Sequence, residues 1–219
     1  MRIFDLSQVD YADALVLQER AVEAVARGQE EIVYLLEHPH VFTLGRRGRD
    51  SNLLSNEGDD SGIPVFRINR GGDVTYHGPG QLIGYLHLDL SRRSRDVHRY
   101  LRDLEEVLIR TAGRFSVRAF RRPGLTGVWT ERGKLASIGV GVRRWITMHG
   151  FALNVTPDLG YFRRINPCGI PDCPMTSLEL ECRYGIDPSQ VRHVVRSALL
   201  DVFDQETSDA NRANPANPS

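Results

Sequence analysis

The chain has 219 residues, 41% of them hydrophobic, with 28 basic and 28 acidic side chains and three cysteines. That length suits one domain with a sizeable core, and the balanced charge supplies no overall field to draw it to nucleic acid or a membrane. No signal-like apolar segment and no run long enough to span a bilayer is found; an odd number of cysteines argues against a disulfide framework, and the expected compartment is the cytosol.

Taken in order, Ile3 to Leu6 reads as a short strand and Asp10 to Arg27 as a helix, with Ala14, Leu15, Leu17, Val22 and Val25 at helical spacing and Gly28 as its stop. Glu31 to Glu37 is apolar and β-branched enough for a buried strand; His38-Pro39-His40 breaks it and Val41 to Leu44 resumes it. The two histidines lack a third ligand nearby, so a structural role is expected for them and no metal. Arg46, Arg47 and Arg49 form a basic patch before the polar loop Ser51 to Gly62, which reads as a solvated loop or as a docking patch for an acidic partner. Ile63 to Ile68 and Leu82 to Leu90 are strand-like, and on the second His87 lies opposite the leucines, where exposure is expected. Asp96 to Ala112 is an amphipathic helix stopped by Gly113. Strand-like pieces follow at Phe115 to Phe120, Gly127 to Thr130, Lys134 to Arg143 and Trp145 to Val155, with a turn at Arg121 to Gly124. Asp187-Pro188-Ser189-Gln190 opens the last helix, with Asp as N-cap, Pro first and Gln three after the cap. From Glu206 to Ser219 nothing needs burying, and a disordered tail is expected. The pattern implies one α/β (α+β) domain over residues 1–205, with a mixed, mainly antiparallel sheet flanked by helices.

Three stretches carry chemistry. Arg70-Gly-Gly-Asp-Val-Thr-Tyr-His-Gly-Pro-Gly-Gln81 holds four glycines and a proline in twelve residues, interleaved with hydrogen-bonding side chains. Glycine lets a ligand approach backbone N–H groups, so this connection can wrap an anionic or carbonyl-bearing molecule; a plain hairpin connection is the alternative. Gly133-Lys-Leu-Ala-Ser-Ile-Gly139 contains the only lysine, against 27 arginines. Codon bias accounts for the arginines, but lysine differs from arginine in being able to give up its proton, which makes Lys134 a candidate for proton chemistry. Arg164-Ile-Asn-Pro-Cys-Gly169 sets a cysteine in a Pro/Gly loop, where a thiol is accessible. The spacing of Cys168, Cys173 and Cys182 does not match zinc ligation, and spacing alone leaves Cys168 little ahead of Cys173.

These stretches, with His149-Gly-Phe-Ala-Leu-Asn154, resemble the lipoyl(octanoyl) transferase family, in register from about Glu31 to Glu179. The resemblance implies the biotin/lipoate protein ligase fold, with its core at about 28–205, and transfer of an octanoyl group from octanoyl-acyl carrier protein to a lysine of lipoyl domains, those of 2-oxoacid dehydrogenase E2 subunits and of the glycine cleavage H protein. It implies no cofactor, no metal, no nucleic acid and no membrane partner. It also implies an acyl-thioester on Cys168 with Lys134 as its partner, and a substrate lying along Arg70, Gly71, Gly72, Asp73, Val74, Thr75, Tyr76 and His77, then Ser137, Ile138 and Gly139, and Gly150, Phe151 and Ala152.

The chemistry is coherent with that resemblance. The thiolate is the nucleophile, and a neighbouring ammonium favours it. Thioester exchange costs little and amide formation runs downhill, so no ATP is needed. Lys134 then shuttles the proton between the incoming amine and the departing thiol, with His77 and His149 as alternative bases; His77 is expected to position substrate and His149 to support the sheet. Candidate oxyanion donors are the N–H groups at Gly71-Gly72 or Cys168-Gly169. Leu135, Ile138, Val140 and Phe151 are candidate walls for the acyl chain, and equally candidates for ordinary core. Three rivals stand beside this reading: an ATP-dependent lipoate or biotin ligase, a cysteine thioesterase, and a non-catalytic acyl-binding module.

Overall fold

The computed structural model describes residues 1–54 and 62–213. Ten strands and four α-helices follow in the order β1 (Arg2–Gln8), α1 (Tyr11–Ala26), β2 (Ile32–Glu37), β3 (Val41–Leu44), β4 (Val65–Arg67), β5 (Val74–His77), β6 (Gln81–His87), α2 (Val97–Arg114), β7 (Phe120–Arg122), β8 (Leu125–Trp129), β9 (Lys134–Arg143), β10 (Ile146–Asn154), α3 (Leu178–Glu181) and α4 (Pro188–Ala213). Short 3-10 turns fill several of the connections, including Leu159–Arg164 and Pro167–Gly169.

Two sheets divide the strands. The larger has seven in the order β1-β2-β6-β10-β9-β8-β7; the smaller has β4-β3-β5. In the larger, β1 and β2 run parallel and the other pairs are antiparallel. In the smaller, β3 pairs parallel with β4 and antiparallel with β5. One face of the large sheet packs against α2 and α4 through an apolar cluster that includes Leu86, Leu104, Leu108, Leu153, Val195 and Leu199. Its other face meets α1 through Ala14, Ile83, Tyr85 and Ala152. Tyr11, at the start of α1, touches Phe66 and His77 of the small sheet and so ties the two sheets together. Burial on both faces drives this layering, because each apolar side of a sheet must be covered.

Helix ends follow the sequence signals. Asp96 accepts from the N–H groups of His98 and Arg99, and Asp187 from that of Ser189. Gly28 follows α1 in the left-handed conformation, with φ of 85°. The second helix, however, runs through Gly113 to Arg114.

Several expectations are corrected. The glycine-rich stretch is not one long loop: Val74–His77 is a strand within it, paired to β3. Residues 115–119 leave α2 through a turn, and the strand begins only at Phe120. Cys182, which the sequence places in a helix where it packs, is instead the residue that ends α3. His87 is buried, not exposed: β6 is a central strand with both faces covered, so period-2 alternation separates faces there without separating inside from outside. Its Nδ1 lies 3.2 Å from Ile32 O, and burial lowers its pKa to about 4. Helical backbone continues past Glu206 to Ala213, where a disordered tail was expected; residues 214–219, and most of the polar loop expected at Ser51 to Gly62, lie outside the described residues. Among the described residues no helix is long and apolar enough to cross a membrane.

Candidate active site

The site forms where the start of β9 meets the turn after Asn166. Lys134, the first residue of β9, is held by its backbone: its N–H donates to Pro174 O at 2.7 Å and its carbonyl accepts from Thr176 N at 3.1 Å. Its side chain is only 1% exposed and has Nζ 5.3 Å from the centroid of the Trp129 ring. A buried ammonium needs such partners, and the ring face supplies one. Room for it comes from Gly127, where φ is 124° and an added Cβ would come within 2.8 Å of Lys134 Cε and 2.6 Å of Ala136 O. Gly127 is fixed in turn by its N–H, which donates to the fully buried Glu105 carboxylate at 3.1 Å.

Cys168 occupies the left-handed region, with φ of 59°, in a turn closed by Gly169 N donating to Asn166 O at 2.9 Å. A non-glycine residue there is strained by about 1–3 kcal/mol, and here the strain presents the thiol to Lys134. Lys134 Nζ donates to Cys168 Sγ at 2.9 Å. The two groups come together from 34 residues apart. The turn is clamped from behind, with Asn166 N donating to Asn52 O and Asn52 Nδ2 to Asp73 Oδ2. Of the other cysteines, Cys173 lies near the pair but is buried, which pushes its thiol pKa up, and Cys182 Sγ lies 3.7 Å from Phe115 O.

Cys168 sits between two cavities. The smaller, about 40 Å³, is lined by residues from the three expected blocks 70–77, 137–139 and 150–152, with Tyr11, Tyr85 and His149 at its back. Two expected residues are missing from it. Gly71 lines the second cavity instead. Tyr76, on the other face of β5, hydrogen-bonds to His40 Nδ1 at 2.7 Å and stacks on Tyr161, so it does not line the path expected for it. The larger cavity, about 440 Å³, is lined by Arg46, Arg47, Leu101, Leu125, Val140 and other residues, and it reaches both Cys168 and Lys134. Of the expected walls, Ile138 touches both cavities, Phe151 the smaller and Val140 the larger, whereas Leu135 belongs to the core and touches neither.

The small cavity is polar at its back. Arg70 is 8% exposed, and its guanidinium donates to Thr43 O and Oγ1 at 2.8 Å and to Gly71 O at 3.0 Å, all neutral acceptors. Burial lowers its pKa, yet an arginine keeps its charge in a protein, so a cation faces the cavity. His77 Nδ1 donates to Gln81 Oε1 at 2.8 Å, Gln81 Nε2 to Asn154 Oδ1 at 2.9 Å, and Asn154 Nδ2 to Thr176 O at 2.9 Å, which links three sequence blocks to the strand-end contact of Lys134. Burial lowers the pKa of His77 to about 3, helped by His38, and likewise that of His149 to about 3, helped by Arg70. Both are held neutral near pH 7 and weakly basic, which favours Lys134 over them as the proton acceptor. His149, expected chiefly to support the sheet, lines the cavity with φ of 60°. His38 bridges Val9 O at 2.6 Å and Tyr85 Oη at 2.8 Å. No group of three or more His, Cys, Asp or Glu side chains able to hold a metal occurs among the described residues.

Of the candidate oxyanion donors, Gly71 N–H is committed to Val140 O and Gly169 N–H to Asn166 O. That leaves the N–H groups of Gly72 and Cys168. Tyr11, Tyr85, Trp129 and Gly127 were not singled out from the sequence. Gly127 did carry a signal, since a glycine inside a strand marks a close approach.

Residues 10–200 match the model of the lipoyl protein ligase A/B catalytic domain. An octanoyltransferase from Geotalea uraniireducens is 60% identical over 206 residues, covering 94% of each chain. One from Geobacter metallireducens is 52% identical and covers 99% of this chain and all of its own. Among solved structures, a bipartite lipoate protein ligase from Thermoplasma acidophilum superposes with a TM-score of 0.71 at 16% identity, covering 97% of this chain and 91% of that one. A biotin protein ligase from Aquifex aeolicus gives 0.54 at 12% identity, covering 98% and 73%. These two likenesses fix the fold, which is that of the lipoate and biotin protein ligases.

Proposed function

Since the chain belongs to the lipoyl protein ligase A/B catalytic-domain family and is an octanoyltransferase within it, we propose that it takes the octanoyl group from octanoyl-acyl carrier protein onto Cys168 and passes it to a lipoyl-domain lysine without ATP. The observation that carries this reading is the 2.9 Å contact between Lys134 Nζ and Cys168 Sγ. A ligase that activates a free acid with ATP has no need of a thiol held against an ammonium.

In the proposed cycle the Cys168 thiolate attacks the thioester carbonyl, and the C–S bond to the donor breaks. The Lys134 ammonium gives its proton to the departing thiolate, which leaves as a thiol, and becomes an amine. The neutral amine of the acceptor lysine then attacks the acyl-Cys168 carbonyl and gives its proton to Lys134. The C–S bond to Cys168 breaks, an amide forms, and the thiolate–ammonium pair is restored. The oxyanion of each tetrahedral intermediate develops beside the buried Arg70 charge and the N–H groups of Gly72 and Cys168, which supports assigning them its stabilisation.

The acyl chain is assigned to the small cavity, along residues 137–139 and 150–152. At about 40 Å³ that cavity holds only a few waters, each needing about 10–15 Å³ on this measure, so the chain must part its walls on entry. Arg70, Asp73, Val74, Thr75 and His77 complete its lining and are assigned the carbonyl end.

The test is transfer from octanoyl-acyl carrier protein to an isolated lipoyl domain in ATP-free buffer, with both substrates varied. Parallel double-reciprocal lines, as expected of a ping-pong enzyme, are the predicted result. An absolute requirement for ATP and free octanoate would return the chain to the ligase reading, and equal release of octanoate with or without acceptor to the thioesterase one.

A further inference from the structure

The larger cavity has a cationic mouth that the proposed cycle does not use. Gly45-Arg46-Arg47-Gly48 is a turn closed by Gly48 N donating to Gly45 O at 2.8 Å, with the two arginines at its tip. The turn is bound to the glycine-rich stretch: Gly45 N donates to Asp73 O at 3.2 Å, Arg46 N to Arg70 O at 2.9 Å and Arg47 N to Gly72 O at 3.2 Å. An added Cβ at Gly45 would lie 2.5 Å from Gly72 O, so only glycine allows so close an approach. Both arginines are exposed, and among the described residues neither is ion-paired. They line the same cavity of about 440 Å³ that ends on Cys168 and Lys134.

A cavity within the usual small-ligand range of about 300–1,000 Å³, with a nucleophile and two exposed arginines in its lining, suits a thioester arm that carries an anion. We infer that Arg46 and Arg47 form a subsite for the phosphodiester of the donor's phosphopantetheine arm, with the arm lying in the larger cavity and its thioester reaching Cys168. This inference rests on the octanoyl-transfer reading and names how that donor is held. Arginine suits the role because its planar donors match phosphate oxygens in a way a point charge does not. The fixed backbone of the turn limits the ordering that binding requires.

The experiment measures kcat/KM for octanoyl-phosphopantetheine and octanoyl-pantetheine, which differ only in the phosphate, with wild type and with Arg46→Ala/Arg47→Ala. Wild type is expected to prefer the phosphorylated donor by at least about tenfold at low salt, the lower end for hydrogen bonds to a charged group. The preference should shrink as salt is raised, and the double variant should bring it to about one. Equal use of the two donors by wild type, or an undiminished preference in the variant, overturns the inference. So does a variant defect seen only with the intact carrier protein, which would mean that the arginines read an acidic protein surface. Acyl-enzyme mass is followed in parallel. If no thioester donor acylates wild type, the transfer reading has failed; acylation without phosphate discrimination sinks the subsite alone.

Discussion

The two cavities that meet at Cys168 are built in opposite ways. The smaller is walled by central strands and backed by Tyr11, His77, Tyr85 and His149, all at most 8% exposed. The larger lies between the β9 strand, the start of α2 and an arginine-bearing turn, and it is about ten times the volume. A closed, rigid pocket discriminates by what must be displaced to enter it, whereas a roomy, charged one admits different guests and orients them. In the proposed cycle the first would hold the acyl chain that stays and the second the donor and acceptor that come and go.

The largest effect tests the dyad where the cavities touch. Lys134→Arg keeps the positive charge but removes the ability to give up a proton, and transfer is expected to fall by about a thousandfold, within the 10²–10⁴ range of general acid–base catalysis. Alkylation of the Cys168 thiol by iodoacetamide should persist, since the cation remains. Near-normal transfer in this variant would reduce Lys134 to a counter-charge.

Gly127→Ala should come next. A Cβ there meets Lys134 Cε and Ala136 O in a backbone conformation that favours glycine, at a cost of about 1–3 kcal/mol. Urea unfolding and kcat should both register it. Full activity would show that the lysine does not need that space.

The acyl pocket itself is tested by Gly84→Ala. A Cβ at Gly84 would lie 2.2 Å from the Phe151 ring, so the ring must shift and reshape the cavity it lines. Preference should move toward shorter acyl chains, by about tenfold in the ratio of six- to eight-carbon donors at about 0.8 kcal/mol per CH₂. If Gly84→Ala leaves the ratio alone and Leu101→Trp changes it, the chain occupies the larger cavity.

The smallest effect is on stability. His77 and His149 are held neutral at about 3, below the usual 6.5. Unfolded chains therefore bind more protons than folded ones below pH 6.5, so stability is intact above that pH and lost as it falls toward 3. Each histidine should cost about 1 kcal/mol by one unit below 6.5, in addition to the buried His38 and His87 at about 4. Chemical denaturation between pH 7.5 and 5.5 measures this, and His77→Gln should flatten the slope. A profile flat to pH 5 would mean that these rings are not buried neutral.

What the sequence made legible was residue type and local pattern. Lys134 stood out as the only lysine, whereas the Pro/Gly loop alone left Cys168 little ahead of Cys173 and the family resemblance singled it out; the structure brings the two into contact. Helix ends at Asp96 and Asp187 were readable because caps are local chemistry. The orientation of Tyr76 was hidden, since reading residues 70–81 as a loop concealed the strand alternation that turns Thr75 and His77 one way and Tyr76 the other. His87 misled for a related reason: alternation names a face, and here both faces are covered. The larger cavity could not be seen at all, because Arg46, Leu101, Leu125 and Val140 meet only once the sheet and α2 have packed.

The most direct test of the central claim is intact-protein mass spectrometry of wild type and Cys168→Ala after incubation with octanoyl-acyl carrier protein and no ATP. One octanoyl adduct is expected on wild type, labile to hydroxylamine, discharged by a lipoyl domain and absent from the variant. An unacylated wild type, or a Cys168→Ala enzyme that still transfers octanoate, would contradict it.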